Sequence, residues 1–374
     1  MFKRILAVII TFCICFILVP EVKAANELNV SAKSAVLMDA QTGRIIYSKN
    51  PEEKLPMAST TKIMTALLAI ESGRLDETVT VSANAQAQEG SSIYLRSGER
   101  ILLRDLVYGL MLNSGNDAAV AIAEHMSGSE EAFAEAMTKR AKELGAVNTS
   151  FKNPNGLDQE GHYTTAYDLA LIAAYAMKND EFKKTVSTKS ATATLEGGET
   201  LYFSNHNKLL KMYDGAVGVK TGFTKASGRC LVSAAERDGK MITAVTLNAP
   251  DDWNDHKKLL DYGFSAVEIK TLARKEERIA EKDGYGFVPE EDVQVVTGKD
   301  RFEIKLHLPK KLPSPANKGE KVGEGEVFYN GRSIKEFNIV AQEDITEEKK
   351  TSDSRRGMAG WIENFVEKIK RFLG

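Results

Sequence analysis

The order of hydrophobic patterns between residues 34 and 267 limits the folds that this chain can adopt. Two apolar runs surround a turn cluster at 34–48, as in a β-hairpin. Helix-type spacing follows, and short β-rich runs return after residue 198. We predict helices at 59–72, 102–112, 117–127, 129–144, 165–178 and 256–267, and strands at 200–205, 216–222, 228–236 and 241–249. Strands at both ends with helices between them predict an α/β sandwich around one antiparallel sheet.

A second, smaller domain is predicted after this region. Residues 269–288 are rich in Lys, Glu and Asp and indicate a boundary. Apolar and polar residues then alternate at 301–308, and Asn330-Gly331 is a strong hairpin turn. We therefore predict a main domain at 25–268 and a small β-rich domain at 269–345, with no catalytic cluster in the second.

The first 24 residues have the pattern of a signal peptide. Lys3 and Arg4 precede a long apolar stretch, and Val22 to Ala24 form a cleavage site of the A-x-A type. The alternative is an uncleaved membrane anchor. The signal-peptide interpretation predicts an exported protein.

The last segment, 346–374, reads as a charged linker followed by an amphipathic helix. Apolar residues recur with i, i+3, i+4, i+7 spacing from Met358 to Leu373. The net charge from 355 to 374 is +3, from five basic and two acidic residues. A basic amphipathic helix predicts peripheral binding to a membrane surface through 357–374. The alternative is a helix docked on its own domain.

Composition excludes some other classes of function. The chain has 374 residues, enough for two domains, and its formal net charge of −2 gives no indication of nucleic-acid binding. The five histidines show no metal-ligand spacing, so we expect packing or surface roles for them and no metal or cofactor. Cys230 lies in an apolar strand-like run, which favours an inert buried thiol over a reactive one.

The stretch PMASTTKIMTA, residues 56–66, places a serine and a lysine three residues apart at the start of an apolar helix. Ser59 and Lys62 would then share one helix face. A lysine amine with a lowered pKa could take the proton of a serine hydroxyl, which is otherwise a weak nucleophile. Alone, the S-x-x-K pattern is weak because it arises by chance.

Two further elements occur in fitting places. Ser114-Gly115-Asn116 lies in a loop between two apolar helices, and Lys220-Thr221-Gly222 lies on a β-rich run. Gly222 would let a substrate backbone approach closely. S-x-x-K, S-x-N and K-T-G in this chain order are the signature set of active-site serine penicilloyl enzymes.

These motifs and the blocks around them resemble the D-alanyl-D-alanine carboxypeptidases, which are low-molecular-mass penicillin-binding proteins. The similar blocks cover nearly the whole chain after the leader and include 34–50, 55–69, 103–124, 151–158 and 218–232. The resemblance implies a β-lactamase/transpeptidase-like catalytic domain. It also implies an exported serine enzyme that removes the terminal D-Ala from peptidoglycan stem pentapeptides, trims cross-linking and is inhibited by β-lactams.

The resemblance also implies roles by position. Ser59 is similar to the acylated nucleophile and Lys62 to its general base. Ser114 and Asn116 resemble the residues that relay protons and hold the substrate amide. The remaining implied roles are electrostatic attraction by Lys220, contact of Thr221 with the terminal carboxylate, and an oxyanion hole from the backbone N–H groups of Ser59 and Phe223.

Two positions depart from the family pattern. Phe223 stands where some relatives have histidine. The role implied for this position uses the backbone N–H, which does not depend on the side chain. Some relatives also supply an arginine for the substrate carboxylate just before the last helix of the main domain. Residues 249–264 contain no arginine, so the residue that binds this carboxylate is not identified by the sequence.

Two other functions share parts of this pattern. A β-lactamase has the same three elements, but class A enzymes need a glutamate and a water for deacylation, and no E-x-x-L-N stretch follows the S-x-N loop. A non-catalytic peptidoglycan-binding protein would be expected to lack Ser59 or Lys62, and both are present. Transpeptidation stays open because both reactions use the same acyl-enzyme.

Overall fold

A computed structural model describes residues 28–298 and 301–346. The predicted signal peptide at 1–24 and the predicted helix at 357–374 lie outside the described residues. Within the described ranges, no helix is long and apolar enough to cross a membrane.

The secondary structure follows the predicted order, with several additions. The helices are α1 (Lys62–Glu71), α2 (Ala83–Gln86), α3 (Leu103–Leu112), α4 (Asn116–Ser127), α5 (Glu130–Glu143), α6 (Ala166–Ala176), α7 (Asp180–Ser187), α8 (Leu209–Met212) and α9 (Asp252–Ala266). The strands are β1 (Ser34–Asp39), β2 (Ile45–Lys49), β3 (Thr78–Thr80), β4 (Arg100–Leu102), β5 (Ser190–Thr194), β6 (Thr200–Ser204), β7 (Ala216–Thr224), β8 (Gly228–Arg237), β9 (Lys240–Leu247), β10 (Glu268–Ala273), β11 (Ala280–Lys282), β12 (Tyr285–Pro289), β13 (Val293–Thr297), β14 (Glu303–His307), β15 (Lys321–Tyr329) and β16 (Arg332–Ala341).

A five-stranded antiparallel sheet forms the centre of the main domain, in the order β2-β1-β9-β8-β7. Strand β1 is buried on both faces because its side chains alternate between two helical layers. Val36 and Met38 join the core that contains most helices, whereas Leu37 packs with Leu259 and Leu260 of α9. The predicted α/β sandwich is confirmed.

The second β-rich region has its own sheet, in the order β11-β12-β16-β15-β14, and a separate β10-β13 pair. Its core includes Phe287, Val327 and Ile339. Asn330 and Gly331 connect β15 and β16, and both have positive φ, as a two-residue hairpin turn requires. The predicted small all-β region is therefore confirmed, while the exact division at 268/269 stays a prediction.

The charged stretch 269–288, predicted as a boundary, carries most of β10, all of β11 and most of β12, and its residues Ile279 and Phe287 are buried. Two expectations about secondary structure were wrong. Residues 200–205 do not join the central sheet, since β6 pairs with β5, a strand that the sequence analysis did not predict. Helix α9 begins at Asp252 rather than at 256, and acidic residues in its first turn suit the helix dipole.

Candidate active site

Ser59 lies in a short 3-10 helix, Ala58–Thr61, that leads directly into α1. Lys62 is the first residue of α1, one turn beyond Ser59. The Nζ atom of Lys62 lies 3.0 Å from Ser59 Oγ, within hydrogen-bonding distance. The predicted pairing of serine and lysine on one helix face is therefore present in the structure.

Lys62 is completely buried, and its Nζ has two further partners. It donates to Asn116 Oδ1 at 2.7 Å and to the carbonyl oxygen of Asn155 at 2.6 Å. Burial lowers the pKa of Lys62 well below its usual value, and the positive charge of Lys220 is the second cause. The negative charge of Asp117 has a smaller, opposing effect. A neutral amine is therefore favoured next to the serine hydroxyl.

The S-x-N element forms the turn between α3 and α4. Ser114 has a φ of +63° and is nearly buried, and Asn116 is the first residue of α4. The Nδ2 atom of Asn116 donates to the carbonyl oxygen of Glu89, while its Oδ1 accepts from Lys62. Both oxygen and nitrogen of this amide are thus fixed in orientation.

Asp117 holds the neighbouring loop, a role that the sequence analysis missed. Its buried carboxylate accepts hydrogen bonds from the backbone N–H groups of Ile93 and Leu95 and from Ser92 Oγ. These bonds fix a loop that brings Ser91 to the cleft wall. An aspartate directly after S-x-N gave little signal, because its partners are 22 to 25 residues away in sequence.

The K-T-G element lies on β7, the edge strand of the central sheet. Lys220 is buried, and burial lowers its pKa to about 7. Its Nζ donates to the carbonyl oxygen of Thr221 at 3.0 Å. A Cβ on Gly222 would lie 3.0 Å from the Ser59 nitrogen, so a side chain at this position would crowd the backbone of the serine. Phe223 is exposed to 64%.

The motifs meet at one cleft of about 360 Å³. Its lining residues are Ser59, Ser91, Ser114, His206, Lys208, Thr221, Gly222, Phe223, Arg229, Asp252 and Trp253. Lys62, Asn116 and Lys220 lie buried behind this surface. The structure therefore brings all eight predicted site residues into one neighbourhood.

The segment 153–158, which the sequence analysis interpreted first as a turn and second as a cleft wall, supports Lys62 from the side. The carbonyl of Asn155 accepts from Lys62, and the carbonyl of Pro154 accepts from Thr65 Oγ1 of α1 at 2.6 Å. Gly156 has a φ of +91° and packs against the Ala58 carbonyl. Asparagine and glycine are typical of such a turn, but its contact with Lys62 is not local in sequence.

Arg229 reaches the cleft from β8 and was not predicted as a site residue. The run GRCLV predicts an apolar strand, and Cys230 within it is buried. Arg229 is on the opposite face of the strand from Cys230 because side chains alternate. Its guanidinium forms an ion pair with Asp252 at 2.9 Å.

The remaining titratable residues fit the expected packing roles with one exception. His162 bonds to Thr61 Oγ1, and His256 lies buried between hydroxyl groups of Ser233 and Thr246. His206 departs from the prediction because it lines the cleft. Cys230 is buried as predicted, and burial raises the pKa of its thiol to about 11.

A serine paired with a buried, depressed-pKa lysine beside the edge of an antiparallel sheet defines an active-site serine hydrolase of the S-x-x-K type. The comparisons give the family. The chain belongs to the D-alanyl-D-alanine carboxypeptidase family, whose model matches residues 21–251, and the model for the penicillin-binding protein 5 C-terminal domain matches residues 256–347. The predicted resemblance is confirmed, and a non-catalytic peptidoglycan-binding protein is the wrong interpretation.

Similar proteins match over most of their length. D-alanyl-D-alanine carboxypeptidase DacF of Bacillus subtilis is 36% identical over 91% of this chain and 92% of its own. DacC of Escherichia coli is 31% identical over 89% and 90%. Among solved structures, penicillin-binding protein 5 of Haemophilus influenzae has a TM-score of 0.63 at 29% identity, covering 85% of this chain and 98% of that one. The Streptomyces K15 DD-transpeptidase has a TM-score of 0.60 at 35% identity, covering 63% and 98%.

Proposed function

We propose that this protein is an exported serine DD-carboxypeptidase that removes the terminal D-Ala from peptidoglycan stem pentapeptides through an acyl-enzyme on Ser59. Inhibition by β-lactams follows from the same acylation. The observation that carries the proposal is the 3.0 Å contact between Lys62 Nζ and Ser59 Oγ, made by a buried lysine whose pKa is lowered.

The hydrogen bonds around Lys62 suit a neutral amine acting as a base. A neutral amine has two N–H groups and one lone pair. Asn116 Oδ1 and the Asn155 carbonyl can only accept, so they take the two N–H groups. The lone pair is then left for the hydroxyl proton of Ser59 when the serine attacks.

Acylation proceeds by attack of Ser59 Oγ on the carbonyl carbon of the penultimate D-Ala. The new C–O bond forms as the hydroxyl proton moves to Lys62. The backbone N–H groups of Ser59 and Phe223 stabilise the oxyanion, and the N-terminal end of the helix adds positive potential there. The closeness of Gly222 to the Ser59 nitrogen supports this placement of the two donors.

The leaving amine then needs a proton. Lys62 returns the proton, with Ser114 as the relay, while the C–N bond breaks and free D-Ala departs. Water next attacks the Ser59 ester and gives one proton to Lys62. Lys62 passes this proton to Ser59 Oγ as the ester C–O bond breaks and the shortened peptide leaves. Ser114 suits the relay because it is a nearly buried hydroxyl that lines the cleft beside Ser59.

Binding of the substrate uses the other two motifs. Asn116 holds the substrate amide, and the extended peptide lies along β7 with Gly222 permitting close approach. Lys220 attracts negative charge, and Thr221 contacts the terminal carboxylate. The support for these roles is their common position at or directly behind the cleft wall.

The proposed location is the outer face of the cytoplasmic membrane, where peptidoglycan precursors are exposed. The sequence of 1–24 supports export, and that of 357–374 supports peripheral attachment. Together they keep an exported enzyme close to its substrate.

Mass spectrometry of the whole protein after incubation with a β-lactam tests the proposal. We expect one covalent equivalent on the peptide that contains Ser59, and none in Ser59→Ala with the same thermal stability. A long-lived adduct distinguishes a carboxypeptidase from a β-lactamase, which releases the opened drug rapidly. An adduct on another residue, or no adduct on folded protein, defeats the proposal.

Transpeptidation is a second candidate because a DD-transpeptidase is among the similar structures. The acyl-enzyme would pass its peptide to an amine instead of water. Adding a D-amino acid as acceptor to the hydrolysis assay measures this directly: an exchanged product that competes with the hydrolysed one indicates transpeptidase activity.

A further inference from the structure

We propose that Arg229 is the residue that recognises the free C-terminal carboxylate of the substrate. The inference rests on the proposed function, since it names the specificity residue of that same cleft. The segment before α9 has no arginine, so this role is otherwise unassigned in the chain.

The strand register places Arg229 on the substrate side of the sheet. Arg229 lies directly opposite Phe223 in the β7–β8 pair, and Thr221 is opposite Leu231. Side chains opposite each other share a face, and so do residues two apart in one strand. Arg229 is therefore a diagonal neighbour of Thr221, roughly 7–8 Å away, which a long side chain can span. Both residues line the cleft.

Two residues of α9 hold the guanidinium in place. Asp252 Oδ2 pairs with Arg229 Nη2 at 2.9 Å, and its Oδ1 accepts from the Trp253 backbone N–H. The Asp252 side chain is only 4% exposed, whereas that of Arg229 is 42% exposed. The guanidinium carbon lies 5.8 Å from the Trp253 ring centroid. The guanidinium group is thus held by Asp252 on one side and open to the cleft on the other.

An anchored guanidinium suits the chemical task. It carries five N–H donors in a planar fork, so it can keep Asp252 and still bind a second carboxylate. A carboxypeptidase must distinguish a chain end, which bears a negative charge, from an internal peptide bond. Among the described residues that line the cleft, Arg229 is the one guanidinium; Lys208 is an exposed point charge without that geometry.

Two thioester analogues of the peptide test the assignment. Their leaving groups end in a carboxylate or in a carboxamide, and the reactive thioester keeps hydrolysis of both measurable. For Arg229→Gln we expect kcat/KM to fall roughly 10- to 100-fold for the carboxylate analogue, mainly through KM, and to stay within about threefold for the carboxamide. For Arg229→Lys, kcat/KM for the carboxylate analogue should lie between the values of the wild type and Arg229→Gln, because lysine keeps the charge but lacks the planar guanidinium group.

Two other variants make the test specific. Lys225→Gln removes the same charge from the exposed β7–β8 turn and should leave the selectivity unchanged. Asp252→Asn should lower the selectivity several-fold by releasing the guanidinium, with the carboxamide rate retained. The assignment would be overturned if Arg229→Gln lowered kcat/KM equally for both analogues or left the selectivity unchanged. It would also be overturned if Lys208→Gln, rather than Arg229→Gln, lost the selectivity. Failure of a β-lactam to acylate Ser59 in the wild type defeats the proposed function itself.

Discussion

Gly156 packs so closely against Ala58 that a Cβ on Gly156 would lie 2.0 Å from the Ala58 carbonyl oxygen. The same Cβ would lie 2.9 Å from the Ser59 backbone nitrogen. Ala58 itself has a φ of +47°, an uncommon conformation for a residue with a side chain. The turn that supplies the Asn155 carbonyl to Lys62 therefore also holds the residue before Ser59.

Gly156→Ala should consequently damage both stability and acylation. We expect the free energy of unfolding to fall by ~2–4 kcal/mol, from the positive φ and from the steric overlap. Acylation of Ser59 by a β-lactam should slow at least ~10-fold, since a shift of Ala58 displaces the oxyanion-hole nitrogen. Chemical denaturation and stopped-flow acylation measure the two effects.

Gly198→Ala is the matched control. Gly198 has nearly the same φ, +88°, but nothing lies within 4 Å of its Cβ position. Gly198→Ala should lower the free energy of unfolding by ~1 kcal/mol, because of the positive φ alone, and should leave acylation unchanged. Equal effects of the two substitutions would show that the contact with Ala58 is unimportant.

Lys220 should tune the pH dependence of acylation through its charge. Its positive charge lowers the pKa of Lys62, second only to burial. In Lys220→Met the pKa of Lys62 should therefore rise, and the ascending limb of the rate of acylation against pH should move to higher pH. Lys225→Met, an exposed lysine in the adjacent turn, should leave this limb in place. An unshifted limb in Lys220→Met argues against coupling of the two lysines.

The stability of the protein should also depend on pH through Lys220. Its pKa is about 7 in the folded protein and ~10.4 when unfolded, so the unfolded chain binds more protons between these values. The contribution of Lys220 to stability therefore rises as the pH increases from about 7 to 10. Lys220→Met should stabilise the protein more at pH 7 than at pH 10 in urea titrations; the opposite trend would contradict a lowered Lys220 pKa.

In the mature chain, which is predicted to begin at Ala25, Cys230 should behave as an inert thiol. It is fully buried, and its pKa of about 11 leaves little thiolate at neutral pH. We expect slow labelling by a thiol reagent in buffer, fast labelling in denaturant, and normal peptide hydrolysis by Cys230→Ser. Rapid native labelling that stops hydrolysis would assign a functional role to this thiol.

The predicted C-terminal helix should bind membranes without being needed for catalysis. We expect a chain ending at Thr346 to hydrolyse a short D-Ala-D-Ala peptide as fast as the full chain. Only the full chain should sediment with anionic vesicles, salt should weaken this binding, and Phe365→Glu should abolish it. Equal sedimentation of both chains would instead favour a helix that packs on its own domain.

Local sequence determined much of the catalytic core. The spacing of Ser59 and Lys62 is a property of one helical turn, so their pairing could be predicted without the rest of the fold. Strand alternation and turn residues likewise indicated β7, β8 and the Asn330-Gly331 hairpin, because each depends on neighbouring residues. The family blocks then predicted which three motifs would converge.

Other features depended on residues far apart in the chain. The lowered pKa of Lys62 needs burial and Lys220, 158 positions away, and no local pattern encodes either. Strand β6 could not be assigned to its own hairpin, since its partner β5 has only a weak apolar pattern.

Arg229 shows the limit most clearly. In the sequence it is one charged residue at the start of a strand, with nothing to mark it as a site residue. Only the antiparallel pairing with β7 and the start of α9 at Asp252 bring its guanidinium to the cleft. The periodicity of a helix or strand predicts contacts only between residues that are close in sequence. Tertiary packing decides which side chains of neighbouring strands meet and which charged groups become buried.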